Sequence, residues 1–151
     1  MASVHEYAVQ VEWSGGRMGA GTVSGDRLPQ ALPIGVPPEF QGTGVGTNPE
    51  ELLASAIAAC YSITFGIIAE NRKLPITAFR VEAVGEVEQN GPQFKYRAVT
   101  IRPTITLDAA ATDEQVAIAE DMAHKADSYC IITNAVRGNV AIEVVPTVTK
   151  G

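Results

Sequence analysis

The sequence predicts an α+β fold with a mainly antiparallel sheet, and three observations carry that prediction. Strand-like stretches lie near both ends and in the middle, with clear period-two alternation in RVEAVGEVE. One long uncharged run of helical length, residues 52–69, stands between them. Glycine, proline and asparagine clusters separate the segments. The order is strands, helix, strands, helix, strand, with no internal repeat, which favours strands paired as hairpins over a parallel βαβ series.

Residues 5–13, HEYAVQVEW, begin the first strand; the glycines of SGGRMGAG interrupt it and TVSG resumes it, which predicts a hairpin. DRLPQALPI adds a third, irregular strand, and residues 35–47, GVPPEFQGTGVGT, are too rich in breakers for regular structure. At TNPEELL the helix-start signals coincide: Asn48 as N-cap, Pro49 at the first helical position and Glu51 three residues after the cap. The helix runs to about Lys73, and Pro75 stops it. Residues 76–107 read as a hairpin around the turn at Asn90 to Pro92. A capping box from Thr112 to Gln115 opens a second helix with Val116, Ala119, Ala123 and Ala126 on one face. A short helix follows near SYCIITNAVRGNV, closed by Gly138, and VAIEVVPTV is the last strand.

At 151 residues the chain has the size of one ordinary domain, and 46% hydrophobic with 19% charged residues is a globular composition. A single domain over 1–151 is expected. Eleven basic against seventeen acidic residues give a net charge of −6, and the basic residues are scattered. Such a surface repels phosphate backbones, which argues against a nucleic-acid partner. The opening MASVHEYAVQVEW has no basic region, no apolar core and an acid at Glu6, so the cytoplasm is the expected location. The uncharged run reaches the lower limit for a membrane span, but Ala, Ser, Thr, Gly and Tyr make up much of it. It reads as a buried helix, with no membrane partner.

The two cysteines, Cys60 and Cys130, carry the candidate chemistry. On the first helix Leu53, Ala56, Ile57, Cys60, Ile63, Thr64 and Ile67 recur at helical spacing, so Cys60 belongs to an apolar stripe. Position alone favours a packed thiol. Reactivity requires a thiolate, and apolar surroundings raise a thiol above its usual value of about 8.5 unless something offsets them.

Other constellations are weaker. GTGVGTNPEE puts glycines before a helix, but it lacks the P-loop lysine, and Glu50 and Glu51 would repel phosphate. His124, Asp127 and Cys130 form no full metal-ligand set at a recognised spacing, and a hydrolase pair of Cys60 with His124 lacks an orienting third residue. Neither a metal nor a bound cofactor is expected.

GTNPEELLASAIAACYS resembles the first helix of the OsmC/Ohr proteins, thiol peroxidases that reduce organic hydroperoxides, and GGRMG and AHKADSYCIITNAVRGNV are similar to that family's other two motifs. The resemblance runs from about residue 5 to residue 148 and implies a sheet wrapped around a long central helix in an intertwined homodimer. It places the peroxidatic cysteine on Cys60, the resolving cysteine on Cys130, the activating carboxylate on Glu50 and the arginine of the Ohr-type glycine turn on Arg17. An arginine fork suits a thiolate and peroxide oxygens, and a carboxylate suits that fork. Ten residues of helix separate Glu50 from Cys60 by about 15 Å, so a shared site needs Glu50 from a second subunit. The resemblance implies a dithiol co-substrate, a lipoylated protein in the Ohr branch. Two departures stand out: Ile131 follows the second cysteine where many relatives carry proline, and the loop 35–47 has no arginine of the kind the OsmC branch uses. Arg17 is then the natural candidate, with Arg27 and Arg137 as substitutes. The competing function is a dimeric binding protein for a lipid-like ligand with both thiols inert.

Overall fold

The computed structural model describes the whole chain, Met1–Gly151. It divides into two compact units, residues 1–52 and 53–151.

In the first unit, β1 (Gln10–Ser14), β2 (Ala20–Ser24) and β3 (Leu32–Ile34) form an antiparallel sheet in that order. The predicted hairpin is present, with Trp13 opposite Gly21. A side chain at Gly21 would meet the Trp13 ring at 2.8 Å, so glycine is what lets the indole lie across the strand pair. The first strand starts at Gln10 rather than near His5. The chain turns at Gly25, where the Leu28 amide bonds the Gly25 carbonyl at 3.0 Å, and that leaves residues 5–9 no strand to pair with. The loop after β3 is irregular as expected, apart from a single 3-10 turn at Pro38–Phe40.

The long helix α1 (Pro49–Asn71) starts where the sequence predicts. Asn48 Oδ1 accepts the Glu51 amide at 2.8 Å, and Glu51 Oε1 accepts from Asn48 Nδ2 at 3.2 Å, so cap and third residue satisfy one another. The helix stops at Asn71 before a left-handed Lys73 (φ 54°) and Pro75.

In the second unit, β4 (Ile76–Asn90) and β5 (Gln93–Leu107) form the expected hairpin, turned by Gly91 at φ 59°. Helix α2 (Asp113–Lys125) begins at the predicted capping box, with both Thr112–Gln115 bonds made. A 3-10 turn, Ala126–Tyr129, leads to α3 (Ile131–Val136), and Gly138 closes it at φ 88°. The expected single last strand is two: β6 (Ala141–Val144) and β7 (Thr147–Lys150). Both run parallel to β5 along the same edge, because the helical crossover 108–140 returns the chain to the end where β5 began. Pro146 has no amide to give the ladder, which divides the strand.

The core of this unit joins Ile57, Tyr61, Phe65 and Ala69 of α1 to Val99, Ile101, Ile105 and Leu107 of β5 and to Ala119 and Ala123 of α2. Phe65 meets Phe79 of β4 at 4.9 Å between ring centroids, and the Tyr61 hydroxyl donates to the Ala123 carbonyl. This corrects the expected stripe. Of its members, Ile57 is buried, whereas Ile63 and Ile67 are 65% and 54% exposed. The inward face follows the i, i+4 row 57–61–65–69 instead, so α1 is buried on one side only.

Candidate active site

Cys60 lies at the start of the fourth turn of α1, half-buried beside the inward row, with Thr64 one turn further on. Cys130 is fully buried at the junction of the 3-10 turn and α3. Its backbone is extended there (φ −81°, ψ 118°), and its sulfur caps α3 by accepting the Thr133 amide at 3.3 Å. Sequences that end one helix and begin another one residue later leave that residue to cap, and here the thiol does so.

Both thiols are free, and each acts on the other's titration. Burial acts to raise the Cys60 thiol, but the neighbouring Cys130 thiol, Ile132 amide, Thr64 hydroxyl and Ile131 amide, in that order of influence, act as donors that favour its charged form. Together they hold Cys60 below its ordinary value. Cys130 shifts the other way: burial raises it first, the neighbouring Cys60 raises it further, and the Thr133 amide that its sulfur accepts at 3.3 Å only partly offsets this. The arrangement separates the roles. The more accessible thiol is shifted toward its thiolate, and the buried one toward its protonated form.

Arg17 and Glu50 belong to the other unit. Arg17 is exposed in the β1–β2 turn, and its guanidinium donates to Gln41 Oε1 at 2.9 Å. Glu50 occupies the first turn of α1, ten positions before Cys60, with Oε2 shielded from solvent. Arg27 lies over the Tyr7 ring at 5.4 Å. Arg137 is committed to Asp127, at 3.1 Å, so it is not a guanidinium waiting at the thiolate. The donors from Thr64, Ile131 and Ile132 were not singled out by sequence reasoning. The i, i+4 spacing of Cys60 and Thr64 is visible in the sequence, but the two amides become donors only through a contact between residues about seventy positions apart.

The family model for OsmC-like protein matches residues 42–145, the greater part of the chain. The chain belongs to this family. Among curated relatives, it is 33% identical over 147 residues to the uncharacterized protein YmaD of Bacillus subtilis, covering 97% of each chain. It is 27% identical over 119 residues to an organic hydroperoxide resistance protein-like protein of Staphylococcus aureus, covering 76% of this chain and 79% of that one. Among solved structures, an organic hydroperoxide resistance protein OsmC from Legionella pneumophila superposes with a TM-score of 0.72 at 24% identity, over 98% of this chain and 100% of that chain. The last likeness shows that the OsmC-like fold is shared.

Proposed function

We propose that this OsmC-like protein is a cytoplasmic, homodimeric thiol peroxidase that reduces organic hydroperoxides to alcohols in defence against oxidative stress. The observation that carries the reading is the thiol pair: a half-buried Cys60 held below its ordinary value and, acting on it, a fully buried Cys130 held above its own. The Cys60 thiolate attacks the distal peroxide oxygen, the O–O bond breaks, and the alkoxide takes a proton and leaves as alcohol. The Cys60 sulfenic acid then condenses with the Cys130 thiol, forming the disulfide and releasing water. A dithiol, such as a lipoylated protein, returns both thiols by exchange and is itself oxidised to its disulfide. No resident cofactor takes part.

Arg17 is proposed to hold the peroxide head with its fork of donors, and Glu50 of a second copy to fix that fork. Three features of the chain support a second copy. The outward face of α1 leaves Ile63 and Ile67 exposed. Gly66, between them, has nothing within 4 Å of where a side chain would project, so its own chain gives no reason for a helix-weakening residue there. Tyr7, Val9, Val11 and Trp13, at alternate positions leading into and through β1, are 79%, 65%, 57% and 43% exposed. The same apolar character favours an alkyl chain on the substrate.

Purified protein supplied with dihydrolipoamide is expected to consume cumene hydroperoxide, and Cys60→Ser to fall to the rate without enzyme. A Cys60→Ser variant as active as the parent would sink the reading. Titrating thiols after a stoichiometric pulse of the peroxide separates it from the lipid-binding alternative: the peroxidase loses two thiols per chain, a binder none.

A further inference from the structure

The segment that carries Cys130 is tied across its two ends by one side chain. Arg137, the residue closing α3, donates from Nη2 to the Asp127 carboxylate at 3.1 Å and to the Asp127 carbonyl at 3.2 Å, and from Nε to Asn134 Oδ1 at 3.1 Å. The Asp127 carbonyl is the same one that accepts the Cys130 amide, at 3.2 Å. Asn134 in turn donates from Nδ2 to the Ser128 carbonyl at 2.9 Å, and its amide bonds the Cys130 carbonyl at 2.9 Å. Cys130 is thereby fixed at its amide, its carbonyl and its sulfur, inside a loop that Arg137 shuts.

We propose that Arg137 is a positioning residue: bridging Asp127 and Asn134, it locks the turn 127–134 so that Cys130 and the amides of Ile131 and Ile132 keep their places beside Cys60. The inference deepens the peroxidase reading and rests on it for the role of Cys60. Its logic is that of preorganisation. Amides that are already ordered stabilise a thiolate without reorganising, whereas a loosened turn presents them for part of the time. An arginine is suited to the task because its planar fork serves three acceptors from one rigid group, which a lysine cannot do. The pairing is also half-sheltered: the Asp127 side chain is 14% exposed and that of Arg137 45%. Its carboxylate is better sheltered than those of the β4–β5 hairpin pairs, whose Glu82, Glu86 and Glu88 side chains are 46–55% exposed.

The groups facing Cys60 are the Thr64 hydroxyl from its own helix and, from the opposing turn, the Cys130 thiol and the two amides. The titratable groups next to them are Tyr61, buried and bonded to the Ala123 carbonyl, and Asp127 with its partner Arg137. The Asp127 charge reaches Tyr61, the neighbour of Cys60, where after burial it is the second influence raising the phenol. Removing Arg137 frees the turn, and a turn that no longer holds the groups facing Cys60 in place disfavours the thiolate.

The test is the pH dependence of iodoacetamide alkylation at Cys60, followed by mass spectrometry of its peptide in the reduced full-length protein. Arg137→Ala is expected to move the Cys60 midpoint upward by about one unit, so that alkylation below both midpoints slows roughly tenfold while the plateau at high pH is unchanged. Arg137→Lys is expected to lie between the two, because it keeps the charge and loses the fork. A folded Arg137→Ala whose midpoint equals the parent's overturns the proposal, even if it melts at a lower temperature. Should Arg137→Ala not fold, an unshifted Arg137→Lys overturns it. Alkylation needs no peroxide, so a parent protein without peroxidase activity and an unshifted midpoint are separate failures.

Discussion

The two faces of α1 have nearly the same composition and opposite fates. Ile57, Tyr61, Phe65 and Ala69 point into the unit and are at most 4% exposed. Ala59, Ile63, Gly66 and Ile67, one third of a turn to half a turn away, lie open. Neither hydropathy nor spacing distinguishes them, and what does is the presence of β5 and α2 on one side. Cys60 sits at the border, half-buried between the packed row and the open face. For a thiol in an apolar helix to react, both sides are needed: a packed one to hold donors still and an open one to admit a ligand.

The largest effect expected from breaking this comparison is on the packed side. Phe65→Ala removes a fully buried ring that stacks against Tyr61 at 6.4 Å and meets Phe79 at 4.9 Å. A loss of about 3–5 kcal/mol is expected in urea unfolding, the range for truncating a buried Phe. A loss under about 1 kcal/mol, as for a surface site, would mean that the inward face is not the core face. On the open side, Ile63→Asp places a charge where the proposed second copy lies. Light scattering is expected to give two chain masses for the parent and one for the variant. A parent of one chain mass would reassign the open face, and would leave Glu50 with no route to Cys60.

Much of the fold was legible because its signals are local. The Thr112–Gln115 box, the Asn48–Pro49–Glu51 start and the hairpin turn at Gly91 each specify structure within four residues, and each is found where its residues stand. The split of the last strand was equally local, since Pro146 announces it, yet the apolar run around it reads as continuous. The apolar stripe of α1 was harder. Almost every position there is uncharged, so the helical period selects no face, and only the partners from β5 and α2 do. The site divides in the same way. Both cysteines were visible as candidates, but their opposite shifts depend on which of them burial closes off and on amides that carry no side-chain signature.

The smallest effect sharpens the border itself. Thr64 contributes one hydroxyl to the Cys60 sulfur, after Cys130 and the Ile132 amide in influence, and Thr64→Val replaces that hydroxyl with a methyl of like size. A donor favours the charged form, so its loss moves the Cys60 thiol upward, toward its ordinary value, while the remaining donors keep part of the depression. The thiolate fraction grows with pH until the midpoint is passed. Below the midpoints of both proteins, the variant is therefore expected to react with iodoacetamide about threefold more slowly, a shift of roughly half a unit. Above them the two should react alike. A uniform slowing at every pH would point instead to altered access. In that case the open side of α1, rather than the donors gathered on its packed side, would be what sets the reactivity of Cys60.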